Sequence, residues 1–259
     1  MKDVQSEFDE RNISLNEVGI KNLVYPVEIK DSEGNWIPVR AEISASVGLG
    51  PNQKGTHMSR FVEVIQENNR RIDLKHVREL LENMKTKLGA ENSFLSIRFD
   101  YFVKKKSPVT EKPSLMNIKA EICAALMGKD LKFEMTVKVP VTTLCPCSKE
   151  ISDYSAHNQR AVVFITANTM KYIPFEWFVQ VAEESASSPL YTLLKRPDEK
   201  YVTEYAYDHP RFVEDVCREV KQRVDENRDI RSYSIEVESY ESIHNHSAYA
   251  KVTGEPKQS

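Results

Sequence analysis

Hydrophobic and polar positions alternate along several stretches of the chain. In NWIPVRAEISASV, Ile37, Val39, Ala41, Ile43, Ala45 and Val47 fall on one face. LSIRFDYFV does the same with Leu95, Ile97, Phe99, Tyr101 and Val103, and MNIKAEICA with Met116, Ile118, Ala120, Ile122 and Ala124. LKFEMTVKV sets Leu131, Phe133, Met135, Val137 and Val139 against Lys132, Glu134, Thr136 and Lys138. A period of two over this length predicts half-buried strands with one face on a core. Such strands suit antiparallel sheets, because parallel strands are covered on both faces and read as continuous apolar runs. DSEGN, Asp31 to Asn35, predicts a turn between two of them.

Between the strands the period becomes helical. Met58, Phe61, Val62 and Ile65 form one stripe. Leu74, Val77, Leu80, Leu81, Met84 and Leu88 form another, with Asp73 placed to cap its start and Gly89 to stop it. The first half therefore reads β-β-α-α-β-β. The second half repeats that order. Strands are predicted near Leu131–Val141 and Ala161–Met170, then a helix from Phe175 with Phe178, Val179 and Ala182 inward. After a long connection comes a helix from about His209, with Asp208 as its cap. It turns Phe212, Val213, Val216, Cys217, Val220 and Val224 inward. Strands near Tyr233–Tyr240 and Ser247–Val252 follow. The reading is an α+β protein of two tandem modules, 1–128 and 129–259, each an antiparallel sheet with helices on one face.

Bulk composition narrows this picture. The chain has 259 residues, 40% hydrophobic and 29% charged, with a formal charge of −3. It can bury a sizeable core. The charge gives no general attraction to nucleic acid or anionic membrane, so neither is expected as a partner. No apolar run approaches the roughly 20 residues of a spanning helix. The N-terminal MKDVQSEFDERN lacks the apolar core of a secretory signal. Four cysteines in a chain of this size suggest thiols rather than a disulfide framework, and a cytoplasmic protein is expected.

Candidate chemistry concentrates in a few places. LCPCSKEISDYSAHNQR carries Cys145, Cys147 and His157, and thiolate and imidazole are both good metal ligands. The segment follows a strand, with Pro140 and Pro146 expected to hold it out of regular structure. The Cys-x-Cys spacing matches no zinc-finger or ribbon pattern, so a pair of small buried thiols at a loop stays open beside a reactive site. In SIHNHSAYA, His244 and His246 are two apart and point the same way in an extended chain. Glu241, three before His244, needs a bend to join them. His76 reads as a surface residue, and His57 at a helix start as a structural one. Glu214 falls at the border of its helix's buried stripe, where glutamates usually reach into water. The connection SPLYTLLKRPDEKYVTEYAYDHP is long enough to be functional and carries Lys195, Arg196, Asp198, Glu199 and Glu204.

Taken together, PVTTLCPCSKEISDYSAHNQR, LLKRPDEKYVTEYAYDHPRFVEDVCREV, ESYESIHNHSAYA and GTHMSRF closely resemble the prokaryotic type IB GTP cyclohydrolase family. The resemblance covers nearly the whole chain. It implies a tunnelling fold, with two modules per chain and a homotetramer whose active sites lie at interfaces. It implies conversion of GTP and water to 7,8-dihydroneopterin triphosphate and formate, the first step of tetrahydrofolate biosynthesis. In that chemistry a metal lowers the pKa of water to supply hydroxide for guanine C8, and an imidazole protonates N7.

The same resemblance implies residue roles. Cys145, His157 and Glu199 would hold the metal, Zn²⁺ or Mn²⁺. Cys147 would be an alternative ligand or catalytic thiol. His244 and His246 would transfer protons, with Glu241 nearby. Glu214 would accept from N1–H and the 2-amino group of guanine, two donors facing two carboxylate oxygens. Lys149, Arg160, Arg196 and Arg60 are expectations for the triphosphate. Two rivals are the tunnelling-fold nitrile reductase of queuosine synthesis and a non-catalytic purine-binding protein. The lysine- and serine-rich motif of the reductase is absent.

Overall fold

The computed structural model describes residues 4–68 and 70–256. The first three residues of the polar N-terminal stretch therefore lie outside it. After a 3₁₀ turn at Val4–Ser6 the elements run β1 (Leu15–Lys30), β2 (Trp36–Leu49), α1 (Met58–Glu67), β3 (Arg71–Ile72), α2 (Leu74–Leu88), β4 (Asn92–Lys106) and β5 (Pro113–Met127). Then come β6 (Asp130–Leu144), α3 (Pro146–Ile151), β7 (Asn158–Thr169), α4 (Phe175–Ser185) and β8 (Ser188–Pro189). The chain ends with α5 (Arg196–Asp208), α6 (Val213–Asp225), β9 (Ile230–Tyr240) and β10 (Ser247–Gly254). This is the expected α+β class. No helix among the described residues is long and apolar enough to cross a membrane.

The chain forms two compact units, Met1–Phe99 with Glu121–Glu134, and Asp100–Ala120 with Met135–Ser259. The expected division at Gly128 falls in the β5–β6 turn, where Gly128 adopts φ 57°. The boundaries of the compact units cut β4, β5 and β6 along their lengths.

In unit one the strand order is β6-β5-β4-β2-β1-β3. The alternation decides which face is covered. Ala41, Ile43, Ala45 and Val47 of β2 are buried, as are Leu95, Ile97 and Phe99 of β4. Full burial of each larger aliphatic side chain contributes roughly 1.5–3 kcal/mol. Helix α1 covers this face with Phe61, Val64 and Ile65; Val64 takes the place expected for Val62, which is half-buried. Helix α2 starts at Asp73, whose side chain accepts the His76 N–H at 2.9 Å, and stops at left-handed Gly89. His76 is not a solvated residue as expected. Its Nδ1 lies 2.7 Å from Asp73 Oδ1 and its ring meets Trp36 edge-on.

Strand β1 pairs with β2 through two register shifts, Leu15/Val18 and Ile20/Leu23, and Asn22 sits at φ 60°. Between the shifts Gly19 lies directly against β2. A Cβ there would stand 2.0 Å from the Ala45 carbonyl oxygen.

In unit two the order is β10-β9-β7-β6-β5-β4, with β8 added on β6. Met135, Val137, Val139 and Val141 of β6, Ala161, Val163 and Ile165 of β7, and Ile235 and Val237 of β9 are buried. Helix α6 packs on β9 and β10, and α4 packs beside α6.

Two sequence expectations change here. The long connection contains a whole helix, α5. Its buried residues are Asp198 and Ala206, so it has no apolar stripe to reveal it. Helix α6 starts at Phe212 rather than at Asp208, which ends α5. His209 precedes Pro210, and that position disfavours helical backbone. The cap is Asp215, which accepts the Phe212 N–H at 3.0 Å.

Asp198 is fully buried in the first turn of α5. Its carboxylate accepts four hydrogen bonds: Val109 N–H at 2.9 Å, Thr110 N–H at 2.8 Å, Thr110 hydroxyl at 2.6 Å and Lys195 N–H at 2.9 Å. Burial alone would raise its pKa. The hydrogen bonds from Thr110, Lys195 and Val109 outweigh burial and hold it well below the usual carboxylate range.

Two outcomes follow for stability. Gly19→Ala forces β1 off β2 and lowers stability by about 1–3 kcal/mol in denaturant titration; an unchanged midpoint would contradict the close approach. Asp198 has a depressed folded pKa, so its contribution is present above the unfolded value of about 3.9 and is lost as pH falls below it. Asp198→Asn should therefore be less stable than wild type at neutral pH, with the gap closing in acid. A gap independent of pH would show that the charge is not what binds the 109–110 loop.

Candidate functional site

Three neighbouring strands of unit two run out of core on the same face. On β6, buried Val139 and Val141 are followed at the same parity by Thr143. On β7, Ile165, Val163 and Ala161 lead back to Gln159 and, just before the strand, His157. On β9, Ile235 and Val237 lead to Ser239 and then Glu241. The face that is apolar in the middle of the sheet thus becomes polar at this end. A cavity of about 320 Å³ opens there.

Cys145, His157, Glu214, Glu241, His244 and His246 line this cavity, six of the residues expected from sequence. Each is placed by an identifiable local cause. Pro146 opens α3 instead of breaking regular structure, because its fixed φ suits the first helical turn. Cys145 becomes the cap, its sulfur accepting the Ser148 N–H at 3.4 Å. The Cys145 N–H bonds the His157 carbonyl at 3.1 Å, and Ser148 Oγ accepts the His157 N–H at 3.2 Å. The thiol and imidazole loops are therefore tied backbone to backbone. Residues 242–246 form a run of bends after β9, and Glu241, His244 and His246 line the same cavity. The rings of His244 and His246 stack at 5.2 Å within this run of bends, rather than in the extended strand that the i, i+2 argument assumed. Glu214 sits in the first turn of α6, where the helix dipole favours a carboxylate.

Other expected residues lie elsewhere. Cys147 is exposed in the first turn of α3 and does not line the cavity. Glu199 is exposed next to Asp198 on α5. Lys149 donates to the Tyr207 carbonyl at 2.6 Å and lies over the Tyr207 ring, tying α3 to the end of α5. Arg160 is on the opposite face of β7 from Gln159, and Arg196 is exposed at the start of α5. Arg60 belongs to unit one and donates to the Lys87 carbonyl at 3.1 Å. His57 holds the cap position of α1 without a side-chain cap bond.

The cavity also holds residues that the sequence reading passed over. Arg211 lines it, and its buried Nε has no hydrogen-bond partner in the protein. Its backbone N–H is fixed on the Leu144 carbonyl at 3.0 Å. Gln159 stands between His157 and Glu241, 2.9 Å from the former and 3.4 Å from the latter. A sign of Gln159 was present: it is a polar residue at the core parity of NQRAVVFITA.

Among the described residues no three His, Cys, Asp or Glu side chains are grouped closely enough to hold a metal ion. Cys145 and His157 nonetheless suit one in kind. Sulfur and imidazole are a zinc-type donor pair, and His157 Nδ1 is already engaged by Gln159 and Ser242, at 2.9 and 3.2 Å, leaving Nε2 for a ligand.

The remaining cysteines are of another kind. Burial pushes the Cys217 thiol up. Burial, with the Glu121 carboxylate beside it, pushes Cys123 up to about 11. Neither is a thiolate near neutral pH. Cys123 lines a larger hollow of about 560 Å³ in unit one, whose described lining contains no histidine. Size alone therefore does not locate the chemistry.

Residues 1–250 match the family model described as type I GTP cyclohydrolase folE2. The chain is 50% identical to the GTP cyclohydrolase FolE2 of Thermosipho africanus, over 98% of each chain. It is 49% identical to that of Thermotoga maritima, over 97% of this chain and 96% of the relative. To that of Nitrosococcus oceani it is 44% identical, over 98% and 96%. Among solved structures, uricase from Arthrobacter globiformis superposes with a TM-score of 0.52 at 6% identity, covering 94% of each chain. A urate oxidase mutant from Bacillus sp. TB-90 gives 0.54 at 8%, covering 93% of this chain and 98% of the other. These two likenesses are of fold, and the fold is the tunnelling fold.

Proposed function

The chain belongs to the type I GTP cyclohydrolase folE2 family, and on that premise we propose that it hydrolyses GTP to 7,8-dihydroneopterin triphosphate and formate, opening tetrahydrofolate biosynthesis. The observation that supports this reading is the single cavity shared by Cys145, His157, Glu214, Glu241, His244 and His246. The reductase and the passive purine binder are not favoured, since the relatives are named as cyclohydrolases.

Each side chain then has a chemical task. The Glu214 carboxylate accepts from N1–H and the 2-amino group of guanine, which orients C8. Arg211, half-buried in the cavity wall, supplies a cation for an oxygen acceptor of the nucleotide. Cys145 and His157 would hold the metal, Zn²⁺ or Mn²⁺, with Glu199, which lies outside this cavity on α5, as the further ligand that the family resemblance implies. When bound, the ion supplies Lewis acidity and makes hydroxide available near neutral pH. His244 and His246 deliver a proton to N7 and carry the later transfers of ring opening and reclosure, with Glu241 beside them. Cys147 is the alternative thiol.

The cavity lies at the small end of the range for ligand pockets. We assign it the base and ribose, with the triphosphate directed outward; Lys149, Arg160, Arg196 and Arg60 are the cations proposed for it. The modules 1–128 and 129–259, a homotetramer with interfacial sites and a cytoplasmic location complete the proposal.

Incubation with GTP and added Zn²⁺ or Mn²⁺ should yield pterin fluorescence after oxidation, abolished by EDTA. No pterin with any metal refutes the reading. Cys145→Ala should lose both metal and turnover, and full metal content in that variant would remove Cys145 from the ligand set. Glu214→Gln should keep metal while kcat/KM falls by about 10- to 100-fold, the worth of a charged hydrogen bond. Arg211→Leu should keep metal and raise KM for GTP by about tenfold or more. An unchanged KM would mean that Arg211 does not touch the nucleotide.

A further inference from the structure

The Gln159 side chain is surrounded by polar groups that use both ends of its amide. Its Nε2 donates to Glu241 Oε1 at 3.4 Å and to Thr143 Oγ1 at 3.3 Å. Its Oε1 lies 2.9 Å from His157 Nδ1 and 3.5 Å from Ser242 Oγ. The strand register explains the arrangement. Ala161 pairs with Ser239 across β7 and β9, so two residues further along Gln159 comes opposite Glu241.

The amide can be placed two ways round, and the neighbours allow only one. An ionised carboxylate accepts and never donates, so Glu241 takes the NH₂ end. That turns the carbonyl end toward His157. A carbonyl also only accepts, so His157 Nδ1 must carry the proton. In neutral imidazole the lone pair then resides on Nε2, the nitrogen left to bind a metal. Turned over, the amide would set its carbonyl against the Glu241 carboxylate, two acceptors face to face.

We propose that Gln159 is a positioning residue: through its amide, the Glu241 carboxylate selects the Nδ1–H tautomer of His157 and fixes that ring as a metal donor. This rests on the reading of His157 as a ligand. It adds a relay in which a group assigned to proton handling also tunes the ligand. The relay needs the acceptor and donor ends of one side chain at once. A leucine of similar length fills the space and supplies neither.

Affinity for Co²⁺ and Zn²⁺ is the test, measured on the full-length protein by competition with a chromophoric chelator, with folding checked by circular dichroism. Gln159→Leu should weaken metal binding by about 10- to 100-fold, as loss of the group supporting a ligating histidine does. Gln159→Glu keeps an acceptor for Nδ1–H and should retain wild-type affinity while lowering kcat, because Glu241 loses its donor. Glu241→Gln should weaken metal binding in the wild-type background, since the amide is then free to turn over. In the Gln159→Leu background it should have no further effect, a non-additivity that a merely structural role would not produce.

His157→Ala separates this inference from the reading beneath it. Wild-type metal affinity in that variant removes His157 from the ligand set, and the relay falls with it. If His157→Ala loses metal, wild-type affinity in Gln159→Leu overturns the relay alone, as does additivity of the Gln159 and Glu241 effects. Should Gln159→Leu fail to fold, Gln159→Glu and Glu241→Gln decide. Loss of affinity in Gln159→Glu as deep as in His157→Ala overturns the proposal, as does unchanged affinity in Glu241→Gln.

Discussion

The site depends on the antiparallel register of β7 and β9. Val163 faces Val237 and Ile165 faces Ile235, so both strands present their apolar residues to the same helices. A slip of one residue would turn every one of these side chains to the other face. Burial of that set therefore fixes the pairing, and the pairing fixes what stands opposite what beyond the core. Gln159 meets Glu241, and His157 follows on the same side. The pairing of Gln159 with Glu241 at the end of the sheet is thus a consequence of hydrophobic packing in its middle, and the local ties of Cys145 and Ser148 add the neighbouring loops to it.

Polar residues can occupy this face because their hydrogen bonds are closed among themselves. Thr143 and Ser239 are buried hydroxyls 3.2 Å apart. Thr143 also accepts from Gln159, and Ser187 Oγ accepts the Leu144 N–H at 3.0 Å. An unsatisfied buried group costs about 1–3 kcal/mol, so a half-connected network would destabilise the strand ends that line the cavity. Arg211 Nε is the exception in this cavity, a buried donor with no protein partner.

What could be read from the sequence follows from the same physics. Strands with period two and helices with apolar stripes were legible, down to the Asp73 cap and the Gly89 stop. Helix α5 was not, because its specification lies in Asp198 and a distant loop rather than in a stripe. That contact is long-range and leaves no periodic trace. Pro146 was misread for a related reason. Proline ends a strand and also begins a helix, and only the following turn tells which. Chemical residue types drew attention to Cys145, His157, His244 and His246. Family resemblance gave Glu214 and Glu241 their roles against a bland prior. Gln159 and Arg211 escaped because one is chemically inert alone and the other sits beside stronger motifs.

The link between Gln159 and Glu241 also bears on how such a site can order its steps. Glu241 reaches His157 through an amide whose two ends have opposite hydrogen-bonding senses. Any change at Glu241 that removes its acceptor character weakens the case for the Nδ1–H tautomer at His157, and binding at Nε2 stabilises that tautomer in return. Such coupling is reciprocal by thermodynamic necessity. His157 and Glu241 are thus joined by a single side chain between two strands whose register the core has already set.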